Sequence, residues 1–523
     1  MHRSGFAVTI LLLLAGCAAT PPAENKLSVP RESKAAQNKQ AIPAALCPTL
    51  TERPLHRTRQ VEEHIVRVSP DGLMVHPDTD QPFDATGART AFDHMLCEAR
   101  RLAAYHGADK PRLLIYIHGG LNSYQHTDKK IHDGLAWRIM DDPQDWHYPI
   151  FISWKSDALS TWGEHLFRLR EGRKAGAVIG TASMPFILVA DIATTLGRFP
   201  ATVYYQLSNE KDRAASRGLL FPPSALSGSW KTANSNFCGK NACANPGGLR
   251  YQGSESELTA NLSRYKTRTL NTAGRGGAQL VTFPLRYTIG SLWHSTVSAS
   301  AWDVMKRRTQ TQFFPTSDFD GRWQPDDIEP VPGGHIFAML LTTAQPPSGA
   351  RPDLTLVGHS MGAMVLNRAL ERFQPQWLES DLIDDVVYMA AADSIEDSLN
   401  ALAPILADST RPDEQPVNFY NLTLNRVAEV SEMHVGGIVP TGSLLVSIDQ
   451  HHEGPEHPLR RTFGSEVNVL SSIRIIDHAL RDTQGELVFK AFDRQVGALP
   501  AAHGDFGAMP FWRRETWRLS DRP

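Results

Sequence analysis

An excess of charge of one sign is missing from this sequence: 53 Lys and Arg stand against 56 Asp and Glu, a formal net charge of −3 over 523 residues. Nucleic-acid binders displace counterions with clustered Lys and Arg, so nucleic acid is excluded as a partner. Cysteine is scarce, five in all. Cys238 and Cys243 have no further ligands close in sequence, which argues against a structural zinc site. Asp449, His451, His452, Glu453 and His457 lack the H-x-x-x-H spacing of a helical metal site and lie in a polar stretch containing Gly and Pro. A solvated loop is expected there, with no metal and no cofactor. No internal repeat is evident. What remains is an ordinary globular composition, 41% hydrophobic and 21% charged, sufficient for a large core and for one elaborated domain.

The N-terminus differs from the rest. His2 and Arg3 precede an apolar run over 6–14, too short to span a bilayer, and Leu14-Ala15-Gly16-Cys17 follows with small residues before a cysteine. This resembles the lipobox of bacterial lipoproteins. The resemblance implies a signal peptide over 1–16, lipidation of Cys17, and, with Ala18 next, a lipid-anchored protein of the cell envelope at the outer membrane, facing the periplasm. Residues 17–45, rich in Ala, Pro, Lys, Gln and Glu, read as the anchor and a flexible tether, and 46–523 as the globular domain. In an oxidising compartment the remaining four cysteines are expected to pair. Cys238 and Cys243, bracketing a short Gly- and Asn-containing loop, suit a local disulfide, leaving Cys47 with Cys97.

Continuous apolar segments at 113–117, 149–153, 354–357, 386–389, 417–422 and 472–476 read as strands covered on both faces, with helical patterns between several of them, such as 90–105 and 361–373. The alternation predicts an α/β domain with a mainly parallel sheet and flanking helices. The stretch from about 157 to 345 interrupts it. Opening on the apolar residues 175–196 and returning through Trp293 and Trp302, it reads as a cap-like insertion over the sheet.

The strongest motif is Gly358-His359-Ser360-Met361-Gly362, set between an apolar strand and a helix with Val365, Leu366, Ala369, Leu370 and Phe373 on one face. A sharp strand-turn-helix pushes a serine hydroxyl outward and tolerates only small neighbours. With His118-Gly119-Gly120-Leu121-Asn122 after an earlier strand, it resembles the elbow and oxyanion loop of the alpha/beta-hydrolase superfamily. The resemblance covers core elements between about 110 and 510, apart from the insertion. It implies Ser360 as nucleophile, the N–H groups of Gly120 and Met361 as oxyanion donors, and a late histidine as base. His503, in a Gly-containing loop, is the choice, with His478 the runner-up. For the acid, Asp393 follows the strand at 386–389, whereas the position after the next strand carries Asn425, with Glu429 nearby.

These readings make the chain a membrane-anchored serine hydrolase of lipid or acyl esters. The other class is a non-catalytic envelope lipoprotein that uses the fold as a binding scaffold, for which Asn425 in place of a carboxylate is the best support. The sequence singles out no protein partner.

Overall fold

The computed structural model describes residues 62–170, 173–174, 176–216, 249–252, 297–313, 331–343, 351–408, 416–432, 442–492 and 500–519. Cys17, Cys47, Cys238, Cys243 and Trp293 lie outside them. Cys97 is disulfide-bonded.

In chain order, β1 (Ile65–Val68) and β2 (Met74–Val75) precede helix α1 (Ala85–Tyr105), β3 (Arg112–Ile117) and β4 (Tyr148–Trp154). The excursion that follows holds α2 (Ala158–Phe167), a small hairpin of β5 (Leu169–Arg170) and β6 (Arg173–Lys174), the long helix α3 (Ala177–Ser216), β7 (Arg250–Gln252) and α4 (Ala299–Thr311). Then come α5 (His335–Thr343), β8 (Asp353–His359), α6 (Met361–Arg372), β9 (Ile383–Met389), α7 (Ile395–Leu406), β10 (Asn418–Leu424), α8 (Arg426–Ser431), α9 (Glu466–Ala479) and β11 (Leu487–Phe492).

Nine of these strands form one sheet in the order β2-β1-β4-β3-β8-β9-β10-β11-β7. All neighbours are parallel except β1 and β2. Central strands are buried along nearly their whole length, as expected where helices cover both faces. α1 illustrates the helix side. Ala88, Phe92, Met95, Ala99, Leu102 and Ala103 recur at helical spacing and are all buried, and Asp84 caps the start by accepting from Gly87 N at 2.5 Å.

Two expectations are corrected. Residues 472–476 belong to α9, not to a strand: Val469, Leu470, Ile473 and Ile476 are buried on one helical face. The apolar run was too short to separate the two periods, and the last long strand is β11 instead. The stretch 449–453 is also no solvated loop. Asp449, His451 and His452 are buried, and the Asp449 carboxylate accepts from Thr462 N and Oγ1 and Asn468 Nδ2 at 2.6–3.1 Å. Among the described residues no cluster could hold a metal ion.

The excursion is tied to the sheet. β7 joins its edge beside β11, and α2 packs against α4 through a buried ion pair. Arg308, 4% exposed, reaches both Glu164 and the Lys155 carbonyl, the latter at 2.7 Å. Removing one partner of such a pair strands the other charge in a poorly solvating site. Glu164→Ala should therefore cost about 3–5 kcal/mol in urea denaturation, whereas Glu164→Leu with Arg308→Met should recover most of the loss.

Candidate functional site

The chain leaves β3 towards β4 on one side, and after the excursion it returns as β8 on the other side of β3. Neighbouring strands whose continuations diverge open a crevice at their carboxyl ends, the usual ligand position in parallel sheets. The two glycine-containing motifs lie there, one after β3 and one after β8.

Ser360, between β8 and α6, has φ 53° and ψ −117°, a conformation that costs an ordinary residue of order 1–3 kcal/mol. Its backbone is held from both sides: Ser360 N donates to Met389 O at 2.8 Å, and Ser360 O accepts from Ala392 N at 3.0 Å. Two close approaches demand glycine. A Cβ on Gly362 would stand 2.1 Å from the Ile117 carbonyl oxygen, and one on Gly119 would stand 2.7 Å from the Ser360 Cβ. The hydroxyl, 1% exposed, donates to His503 Nε2 at 2.9 Å.

His503 opens a short 3-10 turn, His503–Gly507. Asp505 holds the preceding backbone by accepting from Ala501 N and Ala502 N at 3.0 and 2.9 Å. The His503 N–H donates to Glu432 Oε2 at 2.9 Å, and the His503 carbonyl lies 3.2 Å from His359 Nε2. A carbonyl can only accept, so His359 carries its proton on Nε2. Burial lowers its pKa to about 4, which keeps that ring neutral at pH 7.

The peptide between Gly119 and Gly120 is clamped. Its carbonyl accepts from His118 Nδ1 at 2.6 Å, Asn122 Nδ2 at 3.0 Å and Ser156 Oγ at 3.4 Å. Trp154 N donates to His118 Nε2 at 3.1 Å, so the ring proton is on Nδ1. Burial takes the His118 pKa down to about 4, and the ring is a neutral donor. In a trans peptide C=O and N–H point oppositely. Anchoring the carbonyl therefore aims the Gly120 N–H the other way. Neither that N–H nor the one on Met361, at the first turn of α6, donates a hydrogen bond among the described residues.

The carboxylates are arranged differently from the expected triad. Asp393, 3% exposed, accepts from Asn367 Nδ2 at 2.7 Å and Ser394 N at 2.9 Å, and no hydrogen bond joins it to His503. Burial, then the charge of Asp397, pushes its pKa up to about 6. The cap of α7 is Ser394. Asn425 is itself a cap, its Oδ1 accepting from Ala428 N at 2.9 Å at the start of α8. Glu429 is fully buried, accepts from Ser465 Oγ at 3.0 Å, and is pushed well above the carboxylate range by burial. His478 lies in α9, where Arg481 contacts it. Glu432, which sequence reasoning missed, is the carboxylate that reaches the His503 backbone. Its one sequence signal is its place just past the strand after which the acid was sought.

A cavity of about 520 Å³ lies beside this crevice, lined by charged and polar groups that include Lys306, Arg368, Asp393, Glu453 and Arg460, with Met364 from α6. On α3, within the stretch read as a cap-like insertion, Phe186 is 76% exposed.

The Asp393 carboxyl gives a pH test. Its folded-state pKa of about 6 lies above the ordinary 3.8, so the native state binds the proton more tightly. The stability it contributes is full below about pH 4 and is lost as pH rises through about 6. Asn cannot ionise. From pH 4 to pH 7 the stability of Asp393→Asn relative to the parent should improve by roughly 2 kcal/mol, measured by urea denaturation at each pH.

No family model matches the chain, and no curated protein or solved structure matches it either.

Proposed function

We propose that this protein is a serine hydrolase of the alpha/beta-hydrolase type that cleaves carboxylic esters through an acyl-enzyme on Ser360. The observation that carries the reading is the 2.9 Å hydrogen bond from Ser360 Oγ to His503 Nε2, on a positive-φ turn at the divergence of β3 and β8. A serine hydroxyl becomes nucleophilic when a base removes its proton as it attacks. His503 Nε2 is placed to take that proton while Oγ bonds to the ester carbonyl carbon. The carbonyl oxygen becomes an oxyanion facing the N–H groups of Gly120 and Met361. The imidazolium then gives its proton to the departing alcohol, and water, deprotonated by the same nitrogen, repeats the sequence on the acyl-enzyme and restores Ser360.

Glu432 positions this base through the His503 N–H. Asp393 is better read as a buried structural carboxyl than as the acid of a triad, because its hydrogen bonds lead to Asn367 and Ser394. The scaffold reading leaned on Asn425, whose side chain has a structural task as the cap of α8. The lipobox-like start supports a place on the envelope membrane, and with it acyl esters or lipids as the substrate class.

A fluorophosphonate probe tests the nucleophile. The parent should label, and Ser360→Ala should abolish both labelling and ester turnover while changing stability by no more than about 1.5 kcal/mol, the scale of one hydrogen bond. Persisting turnover would reject Ser360. Asn122→Ala tests the clamp on the oxyanion peptide. An interaction used only in the transition state lowers kcat and leaves KM nearly unchanged. Loss of a whole oxyanion donor costs about 10²- to 10³-fold, so loosening one of three anchors should cost roughly tenfold in kcat. A change in KM alone would show that Asn122 binds substrate instead.

A further inference from the structure

The long helix α3 carries a surface that the proposed chemistry does not use. From Ala177 to Gly197 it runs 21 residues at a mean hydropathy of 1.7 with almost none of it buried. Val178, Phe186 and Leu196 are 83%, 76% and 62% exposed, and Ile179 and Val189 are exposed as well. An apolar strip about 30 Å long with a single charged residue is more than an isolated soluble domain usually presents to water.

The inner side of the same helix is already occupied. Gly180 lies so close to the end of α2 that a Cβ would stand 1.9 Å from the Phe167 carbonyl oxygen, Thr195 is buried, and Met184 and Ile187 are half-buried. Asp191, the one charged residue of the strip, turns inward onto His165 Nε2 at 3.1 Å. The hydroxyls of Ser183 and Thr194 donate to the carbonyls of Ile179 and Ala190, one turn back in their own helix, at 2.6 and 3.0 Å. The side chains of Ser183, Asp191 and Thr194 are thereby satisfied without help from whatever covers the outer face, as suits burial in hydrocarbon.

The ends of the strip have a different character. Arg168 is exposed just before it. Tyr204, 69% exposed, lies one and a half turns further. Cationic and amphipathic aromatic residues flanking an apolar stretch match the headgroup level of a bilayer.

We propose that the outer face of α3 docks side-on onto a lipid bilayer, dipping Val178, Phe186, Val189 and Leu196 below the headgroups while the inner stripe stays packed on the domain. The chain end agrees with this occupant. The lipobox-like Cys17 would hold the protein at a membrane, and a tether of the length expected over 17–45 reaches roughly 30 Å, enough for the domain to settle on the same bilayer. Docking does not depend on the hydrolase reading, so the two can fail separately.

The test uses the full chain mixed with vesicles of phosphatidylethanolamine and phosphatidylglycerol containing a phospholipid with a photoactivatable diazirine in its acyl chain, followed by mass spectrometric mapping of the labelled peptides. Label should concentrate on peptides from 177–200. Phe186→Asp with Val189→Asp should reduce it there at least tenfold, because a charge at that depth is strongly disfavoured. Ile475→Asp, the same change at a residue 50% exposed on α9, should leave labelling of 177–200 unchanged. Ser360→Ala should dock like the parent, and the circular dichroism and urea denaturation midpoint of the α3 variants in solution should match the parent, showing that they are folded. Two results would overturn the proposal: absence of lipid label on 177–200, or a self-associated chain in light scattering whose dissociation by the double variant shows a second copy on this face.

Discussion

The close approach between the loop after β3 and the turn after β8 is the constraint on which the rest of the site depends. Ser360 can hold a positive φ only because its backbone is fastened to the ends of β9, and α6 can start where it does only because Gly362 has no Cβ to meet Ile117. The strain of the turn is carried by the sheet, whose central strands are buried on both faces. Once the two loops meet, the serine hydroxyl, the Gly120 N–H and the Met361 N–H are neighbours by backbone geometry, with little left to side-chain freedom. Preorganised dipoles of this kind cost no rearrangement when charge develops.

Two buried histidines maintain that geometry without titrating near neutrality. His118 and His359 both have pKa values brought down to about 4 by burial. They remain neutral, directional donors, His118 to the Gly119 carbonyl and His359 to the His503 carbonyl. The histidines of the two motifs thus serve backbone placement, and His503 alone meets the serine. Glu432 adds a fourth fixed point by taking the His503 N–H. The carboxylates further in, Asp393 and Glu429, are held by neutral hydrogen-bond donors and kept towards their protonated forms by burial, which suits core polar groups better than partners for an imidazolium.

The excursion between β4 and β8 combines opposite solutions to the problem of adding mass to a sheet. α4 is drawn in by an ion pair and packs on α6, with Met305 near Gly120 and Met361. α3 keeps only a narrow stripe of contact and turns its apolar side outward. A soluble cap would bury that side chain set against the crevice. The two helices differ in how much of their surface the domain covers.

The parallel α/β sheet, the sharp turn at Ser360, the glycine-containing loop after β3 and the place of His503 in a late loop could be read from sequence because local patterns encode them: apolar strands of 4–7 residues, glycines where chains approach, a histidine in a loop past the core. The residues 472–476 misled because a short apolar run satisfies both a strand and one face of a helix. The carboxylate partners could not be read at all. Whether Asp393 meets His503 or Asn367 depends on where β9 and α6 place it in three dimensions, and Glu432 reaches His503 across 71 positions of chain. The same holds for α3, whose composition reads as part of a cap and whose apolar side chains Val178, Phe186 and Leu196 are exposed. The packing of Gly180 and Asp191 against α2, together with contacts to α8, decided which side was left outside, since a hydrophobic pattern states how apolar a face is and the tertiary contacts determine what it faces.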